Sequence, residues 1–336
     1  MSPLVVLDAD VLGRERTGEE TYLANLLREL PGLAPDLRFA AVTRFPELVP
    51  PGVEAVALPA RSQELRMAWT LPRLLRRLRP ALAHFQHAIP LRCPCPAVVT
   101  VHDLSFERDP SVLGLKDRLI FRTVVPRAAR KAARLLAVSE RTKTDLVQLY
   151  GVPEERVTVT YHGIDPAFSP GGEPDSYVLF VGSIQERKNP LAAAEAASEA
   201  GLRLVVAGPN RDDSLSRELQ RRGAELRGYL GKPELAQLYR NAACLILPSR
   251  FEGFGLPVLE AMACGTPVVA TPEPALQEVG GDAALYAPPE RLGEAVRRAV
   301  EERPRLAELG LARAREFSWR KTAEGTLAAY RVVLAR

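Results

Sequence analysis

Residues 249–271 read SRFEGFGLPVLEAMACGTPVVAT. A helix is predicted to begin near Leu256, because the proline at position 257 is tolerated in a first helical turn. It is predicted to end at Gly265, since glycine commonly follows the last residue of a helix. The apolar run at 267–270 then predicts a strand. A loop, a helix and a strand in this order are typical of α/β proteins with parallel sheets.

The same alternation of strands and helices extends over the whole chain. In the first half, apolar and β-branched runs predict strands at 4–8, 38–43, 53–58, 81–85, 97–101, 135–138 and 157–161. The segments between them predict helices at 19–30, 63–78, 116–133 and 140–150, the last with Ser139 as its N-cap. In the second half the predicted strands are 177–181, 203–207, 244–247 and 267–270. The predicted helices there are 190–200, 214–222, 232–241 and 256–264, and the tail from 289 is predicted to be helical.

A segment without periodicity divides the chain. Residues 166–176, PAFSPGGEPDS, contain three prolines and two glycines, which is typical of a linker between domains. A length of 336 residues is also comfortable for two domains. We therefore expect two α/β halves, 1–165 and 177–318. Because open α/β sheets bind ligands beyond the carboxyl ends of their strands, we expect a ligand in a cleft between the halves.

The composition is ordinary for a globular protein. Hydrophobic residues make up 46% and charged residues 26%. The N-terminus has no secretion signal, and no stretch approaches the roughly 18 apolar residues of a membrane span. We expect a cytoplasmic protein that can touch the inner face of the cell membrane. The four cysteines lack zinc-ligand spacing and are expected to be reduced thiols: Cys93, Cys95, Cys244 and Cys264.

Basic residues are concentrated in the first half. Residues 60–134 hold 15 basic and 5 acidic side chains, although the net charge of the chain is only +4. Residues 61–79 combine six arginines with the apolar side chains of Trp69, Leu71, Leu74, Leu75 and Leu78. This pattern fits a basic amphipathic helix on an anionic membrane, and it fits equally a helix whose apolar stripe lies in the core. No nucleic-acid recognition motif accompanies the charge, so nucleic acid is not an expected partner.

Two glutamates flank the loop that precedes the predicted helix at 256–264. The loop is Gly253-Phe254-Gly255, and the exposed amides of a helix N-terminus favour phosphate. Glu252 and Glu260, eight positions apart, are predicted to accept hydrogen bonds from the vicinal diols of a sugar and a ribose. Two plainer roles are open: Glu260 as a partner of the helix dipole and Glu252 as a solvated side chain.

The segment from 249 to 271 resembles the signature of the family-4 retaining glycosyltransferases, which have the GT-B fold. In that fold two Rossmann-like domains face each other across a deep cleft. Six further segments resemble the family in the same order: TVHDLSF (100–106), AVSERTKTDLVQLYGV (137–152), YHGID (161–165), LFVGSIQERKNP (179–190), VVAGP (205–209) and ALQEVGGDAALYAPP (275–289).

The resemblance implies a retaining hexosyltransferase that uses a nucleotide-sugar donor, needs no metal or other cofactor, and serves polysaccharide or glycolipid assembly. It implies that residues 1–165 bind a saccharide or lipid-linked acceptor and that 177–318 bind the donor. A C-terminal helix at about 319–336 is expected to pack back on the first domain. Segments such as RKN (187–189) and GDAALY (281–286) resemble mannosyltransferase-like members, which favours GDP-mannose over UDP-glucose and related donors.

The resemblance also assigns donor-binding residues. Glu252 is placed at the transferred sugar and Glu260 at the ribose, while Arg187 and Lys188 balance the charge of the departing diphosphate. Many relatives carry an arginine where this chain has Ser183, so Arg187 is expected to carry more of the phosphate contact. A solvated pair at a helix start is the plainer role of Arg187 and Lys188. The predicted donor-binding residues are Gly182, Ser183, Arg187, Lys188, Gly208, Tyr229, Glu252, Gly253, Phe254, Gly255, Leu256 and Glu260.

His102, at the end of a predicted strand, is implied to contact the donor sugar near the reacting carbon. With Glu252, Arg187 and Lys188 it completes the predicted catalytic group. The loop at 13–18 resembles the family's glycine loop, but Glu20 replaces a glycine and would repel a diphosphate, so it is expected to tune acceptor selectivity. The predicted acceptor-binding residues are Gly18, Glu20, His84, His87 and Asp103.

Three alternatives remain open. The residue types of His84, His87, His102 and Asp103 would suit zinc, but nothing else in the sequence supports a metal. A GT-B epimerase or phosphorylase would share the nucleotide cleft, although the chain has no obvious motif for a pyridoxal-phosphate lysine. A protein that binds nucleotide sugars without turnover is the third alternative, which Glu20 and Ser183 keep open.

Overall fold

The computed structural model describes residues 2–14, 17–59, 62–108 and 115–336, without the side chains of 17 and 115–118. The chain divides into two compact units. Unit 1 comprises Met1–Gly163 and Trp319–Arg336, and unit 2 comprises Ile164–Ser318. Arg61 of the basic segment and positions 15 and 16 of the predicted glycine loop lie outside the described residues.

Unit 1 is built on a seven-stranded parallel sheet in the order β3-β2-β1-β4-β5-β6-β7. Its strands are β1 Leu4–Asp8, β2 Arg38–Thr43, β3 Glu54–Ala57, β4 Leu82–Gln86, β5 Ala97–Val101, β6 Arg134–Ala137 and β7 Val157–Val159. The helices between them are α1 Thr17–Leu33, α2 Gln63–Leu65, α3 Leu71–Leu78, α4 Ser105–Arg108, α5 Leu115–Lys131 and α6 Glu140–Tyr150. Every residue of β5 is buried, as expected for the middle of a parallel sheet that is covered on both faces.

Unit 2 is built on a six-stranded parallel sheet in the order β10-β9-β8-β11-β12-β13. Its strands are β8 Tyr177–Val181, β9 Arg203–Ala207, β10 Glu225–Gly228, β11 Cys244–Leu247, β12 Val268–Ala270 and β13 Ala284–Tyr286. Its helices are α7 Pro190–Glu199, α8 Asp213–Arg221, α9 Lys232–Asn241, α10 Leu256–Ala263, α11 Pro274–Gly280, α12 Leu292–Glu301 and α13 Arg303–Ala314.

The end of the chain forms α14, Trp319–Leu334, which belongs to unit 1. It lies along α1, and its Arg331 donates two hydrogen bonds, of 2.5 and 2.7 Å, to the carboxylate of Asp36. Near its start, Thr322 Oγ1 donates to the carbonyl oxygen of Tyr161 over 2.5 Å. Unit 1 is therefore assembled from two separate stretches of the sequence.

Four of the differences between the predicted and the observed elements concern two strands, one helix and the linker. The strands β10 and β13 were not predicted, because β10 has the polar sequence ELRG and β13 has only three residues. The predicted helix at 63–78 is interrupted by a π-helical turn at Arg66–Thr70. The predicted linker at 166–176 belongs to unit 2, where the guanidinium of Arg240 donates to the carbonyl oxygens of Ala167 and Ser169.

The basic segment at 61–79 divides into a buried part and an exposed part. Leu71 and Leu75 of α3 are fully buried in the unit 1 core, whereas Leu65 and Trp69 are each more than half exposed. Arg73 stacks over the ring of Trp69, with 4.9 Å from Cζ to the ring centroid. The core interpretation therefore holds for the leucines of α3 but not for Leu65 and Trp69. No helix within the described ranges is long and apolar enough to cross a membrane.

Candidate functional site

The strand order of unit 2 places a topological switch point between β8 and β11. From β8 the chain moves outward to β9 and β10, and it then returns to the other side of β8 as β11. The loops after β8 and β11 therefore leave the sheet in opposite directions, and a crevice forms at such a point in α/β proteins. Arg187 and Lys188 follow β8, and Glu252 follows β11, so the topology brings these distant segments together.

Lys188 and Glu252 form the central contact of this crevice. The Nζ atom of Lys188 lies 2.5 Å from Oε1 and 2.6 Å from Oε2 of Glu252, and both side chains are largely buried. Arg187 lies alongside, donating from Nη1 to the carbonyl oxygen of Phe251 over 2.6 Å and standing 3.9 Å from Oε2 of Glu252. Burial alone would raise the pKa of Glu252, but the two positive charges hold that pKa below its ordinary value.

The loop between Glu252 and α10 is shaped by glycine. Gly255 has φ of 106°, and a Cβ atom there would lie 2.8 Å from Cδ2 of Leu276, so a side chain is excluded on both counts. Phe254 is buried against the ring of Phe317, with 6.0 Å between centroids. Its side chain therefore anchors the loop. Phe254 can therefore form hydrogen bonds with a ligand only through its backbone. The same is true of Gly253 and Leu256, which lie beside it at the start of α10.

Glu260 projects from α10 toward Tyr239 of α9. The hydroxyl of Tyr239, fully buried, donates a hydrogen bond of 2.8 Å to Oε2 of Glu260. Burial raises the pKa of Glu260 to about 7, against the lowering effects of this hydrogen bond and of Lys232. The carboxyl group therefore changes its charge close to neutral pH, which a solvated glutamate would not do.

Three glycines close the other side of the crevice at the ends of β8, β9 and β10. A Cβ atom on Gly208 would lie 2.1 Å from the carbonyl oxygen of Gly182, and the amide of Gly208 donates to Gly228 over 2.7 Å. The two turns touch through their backbones, so the residue at 208 must be glycine. A cavity of about 370 Å³ opens beside Gly208 and Gly228. Ser183 follows Gly182, and Tyr229, half exposed, follows β10.

Unit 1 carries a separate cluster of histidines at the carboxyl ends of β4 and β5. The Nε2 atom of His102 lies 2.7 Å from Oε1 of Gln86, and its ring stacks on that of His162 at 5.8 Å. Burial lowers the pKa of His102 to about 4, so the ring is neutral at pH 7. His87, with φ of 56°, pairs with Oε1 of Glu19 over 3.3 Å.

His84 requires a correction. It is fully buried in β4, and its ring nitrogens lie 2.6 Å from the hydroxyl of Tyr330 and 2.7 Å from that of Thr100. Burial lowers the pKa of His84 to about 3. Both nitrogens are therefore used inside the protein, and His84 fastens α14 to the sheet instead of lining an acceptor site.

The other predicted acceptor residues are held by local contacts. The amide of Gly13 donates to Oε1 of Glu20 over 2.7 Å, so this carboxylate fastens the loop before α1. Gly18 lies in the first turn of α1. Oδ1 of Asp103 accepts hydrogen bonds from the amide and the hydroxyl of Ser105, of 3.1 and 3.0 Å, and so begins α4. No group of three or more His, Cys, Asp and Glu that could hold a metal ion exists in the part of the chain that the structure describes.

A charged cluster that was not predicted lies at the carboxyl end of β1. Arg66 donates to both oxygens of Asp8 over 2.5 and 2.6 Å, and Asp10 accepts from Arg44 over 2.7 Å and from Arg14 over 2.6 Å. Burial raises the pKa of Asp8. The sequence offered one signal, because two aspartates directly follow the apolar strand LVVL. Arg14 lies only four residues after Asp10, but Arg44 and Arg66 are distant in sequence and could not be paired with these aspartates in advance.

Two family models match the chain. The model described as Glycosyltransferase Family 4 matches residues 16–168, and the model described as Glycosyl transferases group 1 matches residues 175–302. The O-antigen chain mannosyltransferase B of Escherichia coli is 29% identical over 269 residues, which are 70% of this chain and 70% of that protein. The D-inositol 3-phosphate glycosyltransferase 1 of Catenulispora acidiphila is 34% identical over 60% of this chain. The chain spans 57% of that relative's length.

The structural comparison agrees. The crystal structure of Anabaena HepE in complex with UDP and glucose has a TM-score of 0.75 over 99% of this chain and 100% of that chain, at 16% identity. An identity this low shows the fold alone. The fold, with its two parallel-sheet Rossmann-like units, is that of the GT-B glycosyltransferases. The chain itself belongs to the glycosyltransferase family that these two models describe, Family 4 in its first half and group 1 in its second. The predicted fold class and family are therefore confirmed.

Proposed function

We propose that this protein transfers a hexose from a nucleotide-diphosphate sugar to a saccharide or lipid-linked acceptor, with retention of the anomeric configuration and without a bound metal. The observation that carries the proposal is the contact between Lys188 and Glu252, with Arg187 beside it. Two cations and one carboxylate leave a surplus positive charge at the switch point of unit 2. The transferred sugar needs a group that accepts hydrogen bonds from its hydroxyls, which the carboxylate provides. The departing diphosphate needs positive charge, which the two cations provide.

The assignment of roles follows from the charges. Lys188 and Arg187 stabilise the negative charge that develops on the diphosphate as the glycosidic bond breaks. Glu252, ionised because these cations lower its pKa, accepts hydrogen bonds from hydroxyls of the transferred sugar. The backbone at Gly253 and Phe254 and the N-terminal end of α10 hold sugar hydroxyls or phosphate oxygens. Glu260 accepts the two hydroxyls of the ribose when it is ionised.

In unit 1 we assign His102 a hydrogen-bonding role toward the transferred sugar. A neutral imidazole offers one N–H and one lone pair, and Gln86 occupies Nε2, so Nδ1 is the atom left for a hydroxyl. With its pKa lowered to about 4, His102 is a weak base at pH 7. We therefore assign the proton of the attacking acceptor hydroxyl to the departing phosphate on the same face of the sugar.

For the donor we favour GDP-mannose, and for the context the assembly of a bacterial polysaccharide or glycolipid. The support is the relative named as an O-antigen chain mannosyltransferase. A uridine donor is the competing choice, because the structural neighbour from Anabaena was solved with UDP and glucose. The two donors differ in their base, so a direct comparison of nucleotides separates them.

We further propose that unit 1 contacts an anionic membrane through exposed apolar residues of two segments, one before α3 and one after β4. Leu65, Trp69 and Leu91 are each more than half exposed, and the amide of Leu91 donates to the carbonyl oxygen of Met67 over 3.2 Å, which places these segments side by side. Arg73 of α3 stacks over the ring of Trp69, and Arg76 and Arg77 of the same helix are exposed. Apolar side chains set among basic ones are typical of surfaces that lie in the headgroup region of a bilayer.

The first experiment exposes the purified protein to GDP-, UDP-, ADP- and TDP-sugars with EDTA present, and records thermal stabilisation and release of the nucleoside diphosphate. We expect one donor to stabilise the protein and to be hydrolysed slowly. Binding without release, even after addition of polysaccharide and lipid-linked acceptors, would point to a protein that only binds nucleotide sugars. Activity that is lost with EDTA and restored by a divalent cation would contradict the metal-independent mechanism.

The membrane contact has its own test. Flotation with vesicles of anionic phospholipid should carry the wild-type protein upward, and Trp69→Ala should reduce the bound fraction several-fold. Leu309→Ala changes an exposed leucine of unit 2 and should bind like the wild type. Equal flotation of all three proteins, or none at all, would contradict the proposed surface.

A further inference from the structure

Cys93 and Cys95 lie next to each other in the connection between β4 and β5. The local sequence is Arg92-Cys93-Pro94-Cys95, and both cysteines are partly exposed. Their sulfur atoms are 3.8 Å apart, and Sγ of Cys93 also lies 3.3 Å from the carbonyl oxygen of Cys95. The two thiols are therefore in contact with each other and with solvent, outside the residues assigned to sugar transfer.

The connection that carries these thiols is firmly held. The guanidinium of Arg127 donates to the carbonyl oxygens of Ile89 and Leu91 over 3.0 and 2.9 Å, which ties the connection to α5. Both cysteines also pack against the hydrophobic core of unit 1, and the ring of Pro94 restricts the backbone between them. Because the backbone is fixed, the two sulfurs stay within reach of one another.

The two thiols differ in acidity. The hydrogen bond with Cys95 and the nearby charge of Arg127 outweigh burial and lower the pKa of Cys93 to about 7. The hydrogen bond to Cys93, burial and the neighbouring thiolate raise the pKa of Cys95. At neutral pH a large fraction of Cys93 is thiolate, which is the form that attacks a disulfide. Cys95 keeps its proton and is placed to react second.

The remaining two cysteines provide a contrast within the same chain. Cys244 and Cys264 are buried in unit 2, and burial raises the pKa of each thiol to about 12. Such thiols are inert toward disulfides in solution. Any reaction of the folded protein with a small disulfide is therefore expected at Cys93 and Cys95.

We propose that Cys93 and Cys95 form a redox-active dithiol, which low-molecular-weight disulfides such as oxidised glutathione convert into an intramolecular disulfide. The Cys93 thiolate attacks one sulfur of oxidised glutathione, forming a mixed disulfide and releasing one glutathione thiolate. Cys95 then loses its proton and attacks the Cys93 sulfur, which forms the Cys93–Cys95 bond and expels the second glutathione. The protein loses two electrons and two protons, and one oxidised glutathione becomes two reduced ones.

The short distance between the two sulfur atoms suits the formation of the Cys93–Cys95 bond. A disulfide requires an S–S distance of about 2.05 Å, so the sulfurs must approach by less than 2 Å, roughly the change that a rotation of one side chain about χ1 gives. The approach breaks the contact between Cys93 Sγ and the carbonyl oxygen of Cys95. No movement of the strands is needed, since β4 and β5 stay paired through their own ladder.

The test equilibrates the full-length protein at pH 7 in buffers of reduced and oxidised glutathione, then traps free thiols with iodoacetamide. Trypsin cleaves after Arg92 and next after Arg108, so one peptide contains both cysteines. We expect this peptide to appear two hydrogen masses lighter and unalkylated in oxidising buffer. Cys244 and Cys264 should remain alkylatable after unfolding, which makes them internal controls.

Single variants separate the two roles. Cys95→Ser should accumulate a stable glutathione adduct on Cys93, because the resolving thiol is missing. Cys93→Ser should react roughly tenfold more slowly, since its remaining thiol is mostly protonated. A wild-type protein that keeps both thiols, or that carries glutathione on them without closing the ring, would overturn the proposal. A faster reaction of Cys93→Ser than of Cys95→Ser would overturn the assigned order of attack.

Discussion

The hydroxyl of Tyr239 donates a 2.8 Å hydrogen bond to the carboxyl group of Glu260. This buried contact joins α9 to α10 and fixes the direction of the carboxyl group. It also lowers the pKa of Glu260, against the much larger effect of burial. Tyr239 is therefore a positioning residue for the group to which we assign the ribose, although it need not touch the donor.

Tyr239→Phe should weaken the binding of the nucleoside diphosphate at pH 7 by about tenfold, since loss of a hydrogen bond to a charged group changes binding by roughly 1.5 kcal/mol or more. The deficit should shrink at pH 8.5, where Glu260 is ionised even without the hydroxyl. Calorimetric titration at both pH values measures this. Tyr177→Phe is the matched control, because that hydroxyl donates to the carbonyl oxygen of Leu238. A deficit that is the same at both pH values would indicate a purely structural role.

The pKa of Glu260 predicts opposite pH dependences for stability and for binding. Its folded-state pKa of about 7 exceeds the unfolded value of 4.5, so its contribution to stability is complete below pH 4.5 and is lost as the pH rises to about 7. Binding of the ribose needs the carboxylate and should strengthen over the upper part of this range. Thermal unfolding with and without nucleotide, from pH 5 to 8.5, measures both effects. Glu260→Gln should flatten both curves, and unchanged curves would contradict the assignment.

Removing either member of the pair formed by Lys188 and Glu252 should be harmful, but loss of Lys188 should mainly reduce stability and loss of Glu252 should mainly reduce the rate of transfer. Lys188→Ala leaves a largely buried carboxylate without its main partner and should destabilise the protein by about 3 kcal/mol. Glu252→Ala should reduce transfer by about 100-fold or more, while the nucleoside diphosphate still binds, because the cations remain. Chemical unfolding and turnover assays measure the two effects.

The double variant Lys188→Met with Glu252→Gln is the control for that pair. It removes both charges, so its stability should recover toward the wild type while transfer stays lost. A destabilisation equal to the sum of those of Lys188→Met and Glu252→Gln, each measured alone, would show that the two side chains are not coupled. Full activity of Glu252→Ala would contradict the site itself.

Gly208→Ala should destabilise unit 2 by about 3 kcal/mol or more, because a Cβ atom 2.1 Å from the carbonyl oxygen of Gly182 forces two turns apart. Gly223→Ala is a matched control, since Gly223 also has a positive φ, of 81°, but has nothing within 4 Å of a Cβ atom. It should cost only about 1 kcal/mol from the backbone conformation. Equal losses in chemical unfolding would show that close contact of the turns is unimportant.

The sequence predicted correctly those strands and helix ends that depend on a local pattern of residues. The strands β1, β2, β5, β8, β9 and β11 were predicted to the residue, because each is a short, predominantly apolar run between clear helix signals. Ser139 was predicted as an N-cap, and its hydroxyl accepts from the amide of Thr142 over 3.0 Å. The polar edge strand β10 was missed, since pairing with β9, rather than its own composition, makes it a strand.

The site was predictable only in part, for a similar reason. His84 was selected for its place at a predicted strand end and Lys188 for the family resemblance, but neither signal reveals which way a side chain turns. His84 turns into the core, while Lys188 meets Glu252, 64 residues away in the sequence. Glu20 was expected to act on a ligand, and no sign in the sequence indicated that its carboxylate also accepts from the amide of Gly13. Such partners are set by tertiary packing, which no local pattern records.

The return of α14 to unit 1 has a consequence for biosynthesis. Unit 2 is one uninterrupted stretch, Ile164–Ser318, inserted between the two stretches that build unit 1. On the ribosome, where chains fold from the N-terminus as they emerge, unit 2 can complete its fold while unit 1 still waits for its final helix. Until α14 is synthesised and Tyr330 can hydrogen-bond to His84, the part of the unit 1 sheet that α14 covers is exposed to solvent. This nascent intermediate is therefore the one that most needs protection from aggregation.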